Sequence, residues 1–130
     1  MSTLIGRVTS GTGNAGHWLT KFNDAYAMKV GAPVFPGSLN VILPVPFEWF
    51  APEQVRRTIR FDRSEYGGER DILLIPCALP KLGGEPAWLW STTTAARDRD
   101  DPRILELIAS RGLRASFGLV DGDPLEIDLP

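Results

Sequence analysis

Two side chains that carry coordinating oxygens, Ser38 and Asn40, stand at the start of an apolar segment that ends at Leu43. They follow Pro36 and Gly37, a pair that is typical of the centre of a tight turn because proline fixes φ and glycine tolerates a positive φ. Residues two positions apart share a face of a strand, so the sequence predicts both oxygens on one face. Such oxygens suit a hard cation or a phosphate group. Taken alone, the stretch favours a simpler interpretation, in which Ser38 and Asn40 satisfy nearby backbone groups.

A carboxylate, Glu106, lies inside the apolar run Ile104–Ile108. Burial among apolar neighbours disfavours the charged form of a carboxyl group, which would suit Glu106 to proton abstraction. Periodicity alone does not decide whether this run is a strand or a helix. The alternative is that Glu106 faces solvent on an edge strand.

The composition leaves few other kinds of site. His17 is the only histidine and Cys77 the only cysteine, so a Ser-His-carboxylate triad, an intramolecular disulfide and a multi-cysteine metal site have no support. Zinc is disfavoured for the same reason. Magnesium needs only one or two protein oxygens when phosphates and waters complete its coordination, and Ser38 and Asn40 would suffice.

A glycine-rich loop follows the predicted first strand, Leu4–Val8, and precedes a predicted helix. Its backbone amides could turn toward phosphates at the start of that helix. It is not a P-loop, because no Gly-Lys-Ser/Thr appears, and no parallel βαβ unit follows that would mark a dinucleotide site. The alternative is a flexible loop with no ligand. The candidate nucleotide-binding residues are Gly11, Thr12, Gly13, Asn14, Ala15 and Gly16.

The elements that must position these groups are mostly short strands. Apolar residues recur every four positions from His17 to Val30, which predicts one helix that Gly31 and Pro33 terminate. The segment Thr92–Arg103 is charged and loop-like, with a possible helix start before Pro102. Roughly six strands and one clear helix predict a mainly β, α+β fold in the form of a small barrel.

Several large aromatic side chains lie in the middle of the chain. Most of them are expected in the core, although one or two could instead stack on a flat ligand. They are Phe47, Trp49, Phe50, Trp88 and Trp90.

Length and charge bound the remaining possibilities. The 130 residues, 43% of them hydrophobic, fit one domain spanning residues 1–130. Because 14 basic residues are scattered among 16 acidic ones, for a net charge of −2, we expect no nucleic-acid partner. The start lacks the layout of a signal peptide and no apolar run is long enough to span a membrane, so we expect a cytoplasmic protein with no membrane partner.

These motifs, in this order, resemble those of the archaeal-type CTP-dependent riboflavin kinases. The resemblance covers nearly the whole chain, and its most specific part is Pro36-Gly37-Ser38-Leu39-Asn40-Val41. The other matching segments are Gly6-x-Val8-x-Ser10-Gly11-x-Gly13, Leu105-Glu106-Leu107-Ile108-Ala109, Leu113-Arg114 and Asp121-Gly122-Asp123.

The resemblance implies a six-stranded cradle-loop barrel of the RIFT type that transfers a phosphoryl group from CTP to the 5′-hydroxyl of riboflavin, giving FMN and CDP with Mg²⁺. It assigns the magnesium to Ser38 and Asn40, the nucleotide phosphates to the glycine loop, and the role of general base near the flavin hydroxyl to Glu106. Thr94 and Arg97 fall among the expected surroundings of the substrates.

The chain also departs from the family pattern. Asn14-Ala15 replaces a Glu-Gly pair in the loop, Ser38 replaces a threonine and Phe35 replaces a tyrosine. Loss of a glycine at Ala15 restricts the backbone there. Two alternatives follow: a non-catalytic barrel that binds a flavin or a nucleotide, and a kinase for another small alcohol.

Overall fold

The strands and helices are short and follow one another closely along the chain. The computed structural model describes residues 2–11 and 15–130. Within them lie strands β1 (Ser2–Thr9), β2 (Leu39–Ile42), β3 (Ile59–Phe61), β4 (Ile72–Leu79), β5 (Glu85–Thr92), β6 (Ile104–Ala109) and β7 (Pro124–Leu129). The helices are α1 (Ala15–Lys21), α2 (Asn23–Val30), α3 (Pro52–Arg57), α4 (Arg63–Tyr66), α5 (Thr93–Asp98) and α6 (Leu113–Phe117).

Six of the strands close into an antiparallel barrel. The order along the sheet is β3-β4-β5-β6-β2-β1-β7, and β7 returns to β4 through the pair Ala78 and Asp128. The short strand β3 pairs with the first residues of β4, Ile72–Leu74, so that β3 and β7 share one edge of that strand. The predicted mainly β, six-stranded barrel is confirmed, with β3 as an additional strand.

Alternation along the strands divides the apolar side chains between two cores. In β6, Leu107 belongs to the core inside the barrel, whereas its neighbour Ile108 belongs to a second core on the outer face. Leu19 of α1 and Tyr26 of α2 are fully buried in this second core. The two helices therefore cover part of the barrel wall, and a polar group on that face can be buried without entering the barrel.

The helical segment after the glycine loop differs from the prediction in one respect. The single helix expected from His17 to Val30 is two helices, because Phe22 between them has φ −113° and ψ 26°. The expected end is confirmed, since Gly31 has a left-handed φ of 76° and its N–H donates to the Ala27 carbonyl.

The charged segment before β6 also differs. Thr93–Asp98 forms the helix α5, because the Thr92 hydroxyl accepts a hydrogen bond from the Ala95 N–H and caps it. No helix begins at Pro102, where the chain turns directly into β6. Pairing with β2 on one side and β5 on the other makes Ile104–Ala109 a central strand.

In residues 2–11 and 15–130, no helix has both the length and the apolar character needed to cross a membrane.

Candidate active site

Strands β2 and β6, which carry Asn40 and Glu106, are neighbours, and their register brings these two predicted residues together. Asn40 pairs with Glu106, and Leu39 pairs with Leu107. Directly opposed residues of an antiparallel pair share a face, so Asn40 and Glu106 lie on the outer face while the two leucines fill the barrel. Long-range strand pairing thus assembles a site from segments that are more than 60 residues apart.

The segment before β2 positions Ser38. Pro36 is the central residue of a three-residue turn, in which the Gly37 N–H donates to the Phe35 carbonyl at 2.8 Å. A Cβ at position 37 would lie 3.0 Å from the Phe35 ring, so any residue other than glycine there would require this ring to shift slightly. The turn brings the Ser38 hydroxyl to Glu106.

Glu106 is buried, with 4% of its surface exposed. Its Oε1 accepts a hydrogen bond from the Ser38 hydroxyl, and its Oε2 accepts one from Arg99 Nη1, each at 3.1 Å. The alternative of a solvent-facing residue on an edge strand is wrong, because β6 is paired on both sides. The carboxylate is therefore held by two defined donors on the outer barrel wall.

The side-chain amide of Asn40 packs directly on the backbone of Gly11. A Cβ at position 11 would lie 2.2 Å from Asn40 Nδ2, so no other residue fits without moving the amide. Within the described part of the chain, Asn40 Oδ1 is buried and has no hydrogen-bond partner. Buried oxygens without a partner are uncommon, and this one fits a bound cation.

An open cavity of about 470 Å³ adjoins these groups. Four of the predicted site residues line it, namely Gly11, Ala15, Asn40 and Glu106. It is also lined by Ser10, Trp18, Trp90, Thr92, Ala95, Arg99, Asp100, Asp101 and Ile104. Thr12, Gly13 and Asn14 lie outside the described residues.

Two predicted substrate-binding residues, Thr94 and Arg97, do not line this cavity. Thr94 is exposed and accepts a hydrogen bond from Arg70, and the Arg97 guanidinium lies 5.1 Å from the centre of the Phe50 ring. Gly16 belongs to α1, and its carbonyl accepts a hydrogen bond from Thr20. None of the three contributes to the lining of the large cavity as described.

Arg99 is the functional candidate that the sequence did not reveal. Among the described lining residues it is the one cation, and it faces Glu106 in the company of Asp100 and Asp101. The sequence pattern gave little indication of this role, since Arg99 stands in the charged run Arg97–Arg103, which is typical of a solvated loop.

Residues 2–11 and 15–130 contain no cluster of three or more His, Cys, Asp or Glu side chains that could hold a metal.

Two tryptophans give the cavity an aromatic wall. Trp90 lines it and donates its indole N–H to the buried Tyr26 hydroxyl at 2.9 Å. Burial raises the pKa of Tyr26, so this hydroxyl stays protonated. Trp88 is buried in the outer core, and Trp18 of α1 contributes the second lining ring.

A polar brace secures the end of β1, just before Gly11. The Asp121 carboxylate accepts hydrogen bonds from the Ser10 hydroxyl at 2.6 Å and from Arg114 at 2.9 Å, and Arg114 also donates to the Thr9 carbonyl. The hydrogen bond from Ser10, and to a smaller extent the one from Arg114, holds the pKa of Asp121 below its ordinary value. The brace fixes where the glycine loop leaves the barrel.

Comparison with known proteins places the chain among related sequences. Residues 8–129 match the family model CTP-dep_RFKase, described as domain of unknown function DUF120. The chain is 30% identical over 130 residues to a riboflavin kinase of Ignicoccus hospitalis, in an alignment that covers 96% of this chain and 69% of that protein. It is 30% identical over 133 residues to a riboflavin kinase of Methanocella arvoryzae, with 97% of this chain and 56% of that protein covered.

Proposed function

The chain belongs to the CTP-dependent riboflavin kinase family, and from this premise we propose that it transfers the γ-phosphoryl group of CTP to the 5′-hydroxyl of riboflavin. The products would be FMN and CDP. The observation that carries this proposal is the meeting of Asn40 and Glu106, opposed in neighbouring strands, on one cavity that Gly11 also lines, with the Ser38 hydroxyl behind them donating to Glu106.

Mg²⁺ is the proposed cofactor, and Ser38 and Asn40 would hold it. Asn40 Oδ1, which has no hydrogen-bond partner within the described part of the chain, supports this assignment, and so does the Ser38 hydroxyl, which donates to Glu106 and keeps the capacity of its oxygen to accept. When bound, the ion would neutralise negative charge on the transferring phosphates. The cavity needs such help, because three carboxylates and a single guanidinium line its described part.

Glu106 is the proposed acceptor of the riboflavin hydroxyl proton. In the reaction the hydroxyl oxygen forms a bond to the γ-phosphorus, the bond from that phosphorus to the CDP oxygen breaks, and the proton passes to the carboxylate. Each carboxylate oxygen has two lone pairs, so the bonds from Ser38 and Arg99 leave capacity for a substrate hydroxyl. Positioning and charge neutralisation supply most of the catalysis in phosphoryl transfer, and no covalent nucleophile is needed.

The activity is tested by incubating the protein with riboflavin, Mg²⁺ and each nucleoside triphosphate in turn, and then separating FMN by chromatography. We expect FMN with CTP. Binding of riboflavin or CDP without FMN from any donor would contradict the proposal and favour a non-catalytic binding barrel. Nucleotide binding without riboflavin binding would favour a kinase for another small alcohol.

Asn40→Ala tests the metal end of the site. It removes a proposed ligand, so Mg²⁺-dependent turnover should fall below detection while the circular dichroism spectrum and the melting temperature stay close to those of the parent protein. Turnover within twofold of the parent protein would remove Asn40 from the mechanism.

Glu106→Gln tests the proton acceptor. The amide keeps the shape of the side chain and loses its basicity, so kcat should fall by about 10²- to 10⁴-fold, with a smaller change in nucleotide affinity. Rates and CDP binding measured on the same preparation separate the two effects. An unchanged kcat would exclude the assigned role.

A further inference from the structure

Arg99 stands outside the functions assigned so far, although it contacts the most buried charge of the site. It follows α5 directly and reaches Glu106 Oε2 at 3.1 Å, with about 24% of its side chain exposed. A buried carboxylate that loses its charge partner is costly, so this ion pair holds the orientation of Glu106.

The contact extends beyond the pair. Glu106 uses its other oxygen, Oε1, to accept the Ser38 hydroxyl hydrogen. With Oε2 held by Arg99, the carboxylate cannot rotate freely, and the Ser38 hydrogen keeps its direction. A hydroxyl whose hydrogen is engaged in this way leaves its lone pairs directed elsewhere, as in metal sites where outer groups orient the ligands.

We propose that Arg99 is a positioning residue that acts through Glu106 to orient the Ser38 hydroxyl for a divalent cation. This inference rests on the proposed function for the identity of the metal site, and it adds a residue to that site. It differs from direct phosphate binding by Arg99, in which the guanidinium would act on the nucleotide independently of Glu106.

The test measures metal binding without turnover. Mn²⁺ is titrated into the protein saturated with CDP, with free Mn²⁺ followed by electron paramagnetic resonance and a titration of CDP alone as background. Arg99→Ala should weaken binding by about tenfold, the lower end of the range for residues that orient metal ligands. Arg99→Lys, which keeps the charge but not the planar fork, should recover part of the loss.

A double-mutant cycle with Glu106→Gln decides the route of the effect. If Arg99 acts through Glu106, Arg99→Ala should change Mn²⁺ affinity less than about twofold in the Glu106→Gln background. A full tenfold loss in that background would overturn the inference in favour of direct phosphate contact. So would unchanged affinity in the single variant, or no Mn²⁺ binding above the CDP background in the parent protein.

Arg63→Ala is the matched control. Arg63 forms an ion pair with Asp71 at 3.3 Å on the surface, and neither residue lines the cavity. It should leave Mn²⁺ affinity unchanged, and a loss equal to that of Arg99→Ala would mean that the effect is not specific to the site. Failure of the proposed function has a different signature, namely no FMN while the Mn²⁺ titration still responds to Arg99.

Discussion

The contact between Gly11 and Asn40 shows how much of this site depends on the space around single residues. The amide of Asn40 fills the volume where any other residue at position 11 would place its Cβ, at 2.2 to 2.5 Å from the amide atoms. The glycine is therefore required by packing, beyond any role of a flexible backbone in holding phosphates. Beside this contact, Asn40 Oδ1 is buried and has no hydrogen-bond partner among residues 2–11 and 15–130.

Gly11→Ala should displace the Asn40 amide and lower kcat by about 100-fold, since a misplacement of about 1 Å in a catalytic group has an effect of that size. Riboflavin phosphorylation at saturating substrates measures the change. The control is Gly11→Ala in the Asn40→Ala background, where the clash with the amide is absent. In urea unfolding, Gly11→Ala should lower the stability of this background less than it lowers the stability of the parent protein. Full activity of the single variant would show that the loop moves away at no cost.

At the scale of elements, the site depends on how β1, α6 and the turn before β7 are tied together. Asp121, in that turn, joins Ser10 at the end of β1 to Arg114 of α6. This contact gives Arg114 and Asp121, which belong to two segments of the family resemblance, a role in holding the chain at Thr9 and Ser10. The outer wall has a similar tie, the hydrogen bond from Trp90 of β5 to Tyr26 of α2.

Asp121→Asn should destabilise the protein at neutral pH, and the difference from the parent protein should shrink in acid. The folded-state pKa of Asp121 is lowered from 3.8 by the Ser10 hydroxyl and by Arg114. Its contribution is thus fully present above about pH 4, the ordinary value for an aspartate, and disappears as the pH falls through the lowered pKa. Urea unfolding of both proteins at pH 7, 5 and 3 measures the difference, and a gap that widens in acid would contradict the assignment.

At the scale of the whole molecule, residues that stabilise the barrel and residues of the candidate site lie on opposite faces of one strand, β6. Leu107 is fully buried inside the barrel, opposite Leu39 and Leu89 in the neighbouring strands, whereas Glu106 faces the cavity outside. Adjacent residues of β6 therefore belong to the hydrophobic core and to the candidate site. Substitutions on the two faces should have different consequences.

Leu107→Ala should lower the free energy of unfolding by about 2 to 5 kcal/mol, the usual result of a cavity in a packed core. Below the lowered melting temperature, kcat per folded molecule should stay within a few-fold of the parent value. Urea unfolding and riboflavin phosphorylation measure the two quantities. Val55→Ala, at a position that is 53% exposed, is the control and should change stability by less than about 0.5 kcal/mol. A fall in kcat as large as the one expected for Glu106→Gln would show that the two faces of β6 are not independent.

The sequence by itself determined the local features of this protein. Alternation in Ser38–Val41 placed the oxygens and the apolar side chains on opposite faces, because the period of a strand is a property of its own backbone. Gly31 ended a helix for the same local reason, since it alone tolerates the left-handed conformation found there. The number and patterning of the strands were enough to predict a small mainly β barrel.

Only the tertiary structure decided which distant groups meet. The register of β2 against β6 sets Asn40 opposite Glu106, and the capped helix α5 turns Arg97 toward Phe50 while Arg99 reaches the buried carboxylate. Local patterns carry no information on these contacts, because they depend on which strands pair and on how the loop between β5 and β6 packs against them. For that reason the sequence predicted that the oxygens of Ser38 and Asn40 share one face, and it did not predict that Arg99 contacts Glu106 beside them.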